Sequence, residues 1–179
     1  LIAPDLPGFG RTPRQKKPSI PEMAKEIGVL LDHLEVKDPV VIGGLSMGGY
    51  VTFEFLRQFP ERVRALGLFS TRAAPDTPEG REQRFKTLEK IKKEGLRPFS
   101  KAALPKLLGK STLEKQPKVA ERVTQMVLAN DPGGVADALL AMADRHDSSG
   151  LLKSIKVPTL VVAGDEDSFI PVEELEKLA

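Results

Sequence analysis

Apolar positions along the chain follow two spacings. Continuous aliphatic and β-branched runs at residues 1–4, 40–45, 65–69 and 159–163 lack the alternation of a sheet with one wet face, so they predict central strands covered by helices. Between them, Met23, Ile27, Leu30, Leu31 and Leu34 recur at helical intervals behind Ser19 and Pro21, predicting a helix over 21–34. A second helix is predicted over 47–59, stopped by Pro60. Strand, helix, strand succession implies an α/β fold with a mostly parallel central sheet flanked by helices.

That rhythm breaks after residue 70. Helical periodicity at 79–94, 101–108, 118–129 and 135–143, punctuated by Gly95, Pro98, Gly109, Pro117 and the Asp131-Pro132-Gly133-Gly134 turn, runs to Asp147 with no strand pattern. The expected organisation is a core segment over 1–70, a helical cap insertion over 71–150, and a last core strand with its loop over 151–179. A short helix is expected from Val172 to Ala179, and both ends of the chain read as cut.

Composition narrows the classes of partner. Twenty-seven basic residues face 25 acidic ones, a net charge of +2, with one Tyr and no Trp. That balance, and basic runs such as Arg14-Gln15-Lys16-Lys17 without aromatic platforms, argue against nucleic acid. No apolar run approaches the roughly 20 residues of a membrane span. The chain has no Cys, which excludes disulfides and thiolate metal sites and fits a cytoplasmic location. No metal is expected.

The segment richest in chemistry is Val40-Val41-Ile42-Gly43-Gly44-Leu45-Ser46-Met47-Gly48-Gly49-Tyr50, a buried strand entering G-x-S-x-G and then a helix. On so tight a turn Ser46 is strained and exposed, and Gly44 and Gly48 are expected to remove side chains that would collide. The helix start directs the Met47 N–H at the place where an oxyanion would form, and Met47 is expected beside the reacting carbonyl. Phosphate-loop and dinucleotide patterns are not matched, since Pro13 takes the third glycine position after Gly8 and Gly10.

These residues resemble the α/β-hydrolase superfamily, and its enol-lactonase and carboxylesterase branch in particular. Residues 4–12 are similar to the family's D-x-x-G-x-G-x-S loop, with Thr12 replacing the usual Ser; residues 44–49 to its nucleophile elbow; and residues 59–63 to the turn before its sixth strand. Residues 157–171 resemble its seventh strand followed by G-x-x-D-x-x-x-P. The resemblance implies a nucleophile at Ser46, a triad acid at Asp167, no cofactor, and a small ester-like substrate. It places the triad His after the acid, yet only His33 and His146 occur, both before it. The base is therefore expected beyond residue 179, and His146 is a candidate substrate contact. Met126, Leu139, Leu140 and Met142 are candidate pocket residues of the cap. The function expected is a serine hydrolase of a small carboxylic ester, lactone or thioester, with little turnover from these residues alone. The alternatives are a ligand-binding module on the same fold, or a lyase or acyltransferase using the same serine.

Overall fold

The computed structural model describes residues 1–16 and 18–178. The last position of the 14–17 basic run and the last position of the expected terminal helix lie outside them.

Three parallel strands lie in the order β1 (Val40–Leu45), β2 (Val63–Phe69), β3 (Thr159–Val162), with Ile42 opposite Leu66 and Leu68 opposite Val161. Helix α1 (Ile20–His33) begins at Ser19, whose hydroxyl oxygen accepts the Glu22 N–H at 3.2 Å, a cap worth about 1 kcal/mol. It buries Ile20, Met23, Ala24 and Leu31 against α2 (Met47–Gln58) and the sheet. Helix α2 carries Phe53 and Phe55, both essentially inaccessible to water. Burying each phenyl contributes roughly 1.5–3 kcal/mol, so α2 is the most firmly held helix beside the sheet. A single 3₁₀ turn, Pro60–Arg62, leads from α2 into β2.

One sequence expectation fails here. Residues 1–4 form no strand, because a strand exists only through ladder bonds and these residues have no ladder partner among the described residues. Leu1, Ile2 and Pro4 instead line an open cleft of about 840 Å³ together with Val41 and Gly43 of β1. Ile42, Leu66 and Leu68 on one face of the sheet are buried, while among the described residues Val41, Leu45, Leu160 and Val162 on the other are 41–67% exposed.

Five helices make up the insertion after β2: α3 (Pro78–Glu94), α4 (Leu96–Leu107), α5 (Lys110–Lys115), α6 (Pro117–Leu128) and α7 (Pro132–Ala143). Helix α4 starts five residues earlier than its apolar spacing suggests. Gly95, at φ 76°, makes the sharp turn out of α3, and Pro98 falls in the first turn, where a missing N–H costs nothing. Leu88, Ile91, Leu96, Ala136 and Leu139 give the insertion a small core of its own.

The outgoing and returning segments of the insertion are stitched together. The Ser148 N–H donates to the Ala73 carbonyl at 2.9 Å, and Arg145 donates to the Ala74 carbonyl at 2.9 Å and pairs with Asp76 at 2.8 Å. Asp76 also pairs with Arg84 of α3. On its far side the insertion rests on the loop over residues 5–12, where a side chain on Gly134 would stand 2.1 Å from the Gly8 carbonyl oxygen. Arg14 adds a bidentate pair to Asp137 at 2.7 and 3.0 Å. After the insertion come α8 (Ser149–Leu152), β3 and α9 (Val172–Glu176).

Candidate active site

Ser46 occupies the single residue between β1 and α2, and its backbone has φ 52° and ψ −110°. That is a conformation L residues avoid, at a cost of order 1–3 kcal/mol. Three hydrogen bonds hold it. The Ser46 N–H donates to the Phe69 carbonyl at 2.9 Å, and the Ser46 carbonyl accepts from the Gly49 N–H and the Thr71 hydroxyl, each at 2.9 Å. Ser46 itself is exposed.

The steric logic of the turn differs in part from the sequence expectation. A side chain on Gly44 would stand 2.0 Å from the Gly48 carbonyl group, so Gly44 is required as expected. One on Gly48 would meet nothing within 4 Å, because Gly44 presses on the backbone of residue 48 and not on its side-chain position. The second indispensable glycine is Gly49, where a side chain would stand 2.3 Å from the hydroxyl of the fully buried Thr71. The sequence pattern alone assigns no role to Gly49 or Thr71. A Thr two residues past the strand predicted over 65–69 is the available signal.

Met47 is the first residue of α2, so its N–H has no preceding helical turn to pair with and points out beside Ser46. Its side chain is half-buried and packs against the main core.

Asp167 lies in the loop after β3. Its Oδ1 accepts the Phe169 N–H at 2.8 Å and the Ile170 N–H at 2.9 Å, which fixes the carboxylate while Oδ2 accepts no hydrogen bond from the described residues. Because the strands are parallel, the loops after β1 and β3 leave the same sheet edge, separated by the width of β2. Two strand spacings amount to about 10 Å, enough for one planar ring between Ser46 and Asp167.

The structure does not bring a histidine to that gap. The His146 Nδ1 lies 3.1 Å from Oε2 of the buried Glu54, eight residues along α2 from Ser46, and Arg57 and Gln58 approach the same carboxylate at 3.3 Å. His33 is exposed in the last turn of α1. Among the described residues no imidazole is hydrogen-bonded to Ser46 or Asp167. No group of three or more His, Asp or Glu residues suited to a metal ion occurs among them either.

Of the apolar insertion residues expected to line a pocket, Leu139 is buried in the insertion's own core and Met142 packs against both cores. Met126 and Leu140 are exposed. No helix of the described residues is long and apolar enough to cross a membrane.

Comparison with known proteins identifies the fold. A thermophilic esterase from Thermogutta terrifontis superposes with a TM-score of 0.92 at 40% identity, over 97% of this chain and 64% of the esterase. The enol-lactonase from Burkholderia xenovorans LB400 gives 0.87 at 25% identity, over 97% of this chain and 65% of that one. In sequence, the chain is 25% identical to 3-oxoadipate enol-lactonase 2 of Acinetobacter baylyi over 97% of its own length and 64% of the relative's. It thus spans a little under two thirds of the length of these relatives. The profile described as alpha/beta hydrolase fold matches residues 1–179. The chain belongs to the alpha/beta hydrolase fold family.

Proposed function

We propose that the protein is a serine hydrolase that cleaves a small carboxylic ester, lactone or thioester through an acyl-enzyme on Ser46. The observation that carries this reading is the strained, exposed Ser46 at the strand-to-helix turn, on the same sheet edge as a carboxylate with one oxygen left free. A residue that only shapes a loop gains nothing from a conformation this costly. Relatives whose names are esterase and enol-lactonase support the substrate class.

In this mechanism the Ser46 hydroxyl oxygen attacks the acyl carbon while its proton passes to an imidazole that the described residues do not supply. The Met47 N–H, unpaired at the start of α2, holds the developing oxyanion. Asp167 accepts the imidazole Nδ1–H on Oδ2, fixing the tautomer and stabilising the imidazolium. The imidazolium then protonates the departing alcohol, enolate or thiolate, and water attacks the acyl-enzyme by the reverse route. Helices α3–α7 act as a cap over this edge, and the Met47 side chain contacts the substrate. His146 is not assigned to the substrate, because Glu54 already engages it.

The alternative reading is a ligand-binding module on the same fold. Labelling with a fluorophosphonate decides between them. A hydrolase takes one label on Ser46, located by peptide mass spectrometry, and Ser46→Ala abolishes both labelling and p-nitrophenyl acetate turnover. A protein whose Ser46 stays unlabelled, and whose Ser46→Ala variant binds small esters as the parent does, is a binder.

A further inference from the structure

We propose that Glu166 is a positioning residue that couples the seating of the helical insertion to the orientation of Asp167, with Ser111 as its partner. The inference rests on the reading of Asp167 as the triad acid.

Glu166 precedes Asp167 directly and its side chain leaves the sheet edge for the insertion. Its Oε2 accepts the Ser111 hydroxyl at 2.6 Å, and the Ser111 N–H approaches both carboxylate oxygens at 3.2 and 3.3 Å. The approach is close enough to specify a glycine: a side chain on Gly109 would stand 2.1 Å from the same Oε2. A second contact runs in parallel, with the Lys106 ammonium 5.8 Å from the centre of the Phe169 ring. From the core side Arg72 donates to the Phe169 carbonyl at 2.8 Å. The loop carrying Asp167 is thus gripped between the segment after β2 and the α4–α5 corner of the insertion.

Asp167 is sensitive to that grip, because its Oδ1 is held by the N–H groups of Phe169 and Ile170. Any shift of residues 166–170 turns the carboxylate. The insertion is lightly packed on this side. Helices α5 and α6 contain no buried residue, so apolar packing does little to fix them, and polar tethers define where they sit. A substrate that reseats α4–α6 therefore moves Ser111, and Ser111 moves the acid. Acyl groups that fill the space under the insertion would be turned over faster than small ones for this reason, as well as through their own contacts.

The test uses the full protein with Ser111→Ala, Ser111→Thr and Glu166→Ala, and Asp167→Asn as reference. In Ser111→Ala and Glu166→Ala, amide hydrogen exchange over residues 164–171 is expected to accelerate about threefold to tenfold. The kcat for p-nitrophenyl butyrate is expected to fall by about the same factor with KM within about twofold, because the loss falls on the transition state. Ser111→Thr, which keeps the hydroxyl, restores both. Unchanged exchange over 164–171, or unchanged kcat in both variants, would overturn the proposal. Full turnover by Asp167→Asn would overturn the triad reading and with it the catalytic consequence, while the exchange readout still decides whether the tether holds the loop.

Discussion

The guanidinium of Arg145 lies 2.8 Å from Asp76 Oδ1 and 4.2 Å from the centre of the Tyr50 ring, so one side chain joins both ends of the insertion to helix α2. Both partners are almost fully buried, with side-chain exposures of 2% and 9%. Arg145 also donates to the Met142 and Ala74 carbonyls, and Arg84 completes the pairing of Asp76 from α3.

Removing the charge from Asp76 leaves two guanidinium groups without their shared partner. Breaking a buried pair from one side costs roughly 3 kcal/mol, so Asp76→Asn should lower the urea midpoint markedly at neutral pH, by equilibrium unfolding.

Burial alone would raise the Asp76 carboxyl, but hydrogen bonds and charge from Arg84 and Arg145 outweigh it and hold the group below the ordinary carboxylate range. A depressed folded-state value means that its stabilising contribution is complete above the ordinary value of 3.8 and is lost as the pH falls through the folded value. Unfolding free energy measured between pH 5 and pH 2 should therefore fall less steeply in Asp76→Asn than in the parent.

The two glycines flanking Ser46 should respond in opposite ways. Gly44→Ala drives a methyl group into the residue 48 backbone and should cost about 1–3 kcal/mol and abolish fluorophosphonate labelling. Gly48→Ala meets open space inside a helix, where alanine is favoured over glycine by about 1 kcal/mol, so its melting temperature should hold or rise.

His146 should be dispensable for acylation. Its ring serves Glu54, so His146→Ala should leave the Ser46 labelling rate within about twofold of the parent, as for substitutions remote from a site. A loss of several orders of magnitude would instead make it the base.

Gly134 should tolerate nothing larger than hydrogen. A methyl group there meets the Gly8 carbonyl oxygen at 2.1 Å, so Gly134→Ala should lower the melting temperature by several degrees, roughly 2–8 °C by calorimetry.

The strand-to-helix turn at Ser46 and the helices with strong apolar periodicity were legible because the information is local. Glycines, a serine and an aliphatic run within eleven residues specify the turn, and a cap plus a recurring apolar face specifies α1. Helix α5 was missed because Lys-Ser-Thr-Leu-Glu-Lys has a single aliphatic residue and so no periodicity to read. The partner of His146 lies 92 residues away and that of Glu166 lies 55 away, and no spacing rule reaches so far. The strand expected at residues 1–4 failed because apolar content specifies burial preference, whereas a ladder needs a neighbour.

The stitched base of the insertion has an evolutionary reading. Once residues 73–76 and 145–148 are joined to one another, the loop between them is closed whatever it contains. Closure entropy grows only by about 0.6 kcal/mol for each doubling of loop length, so helices can be added, lost or replaced above the base at small cost to the sheet below. Descendants of such a protein can diversify the insertion while Ser46 and Asp167 stay where the strands hold them.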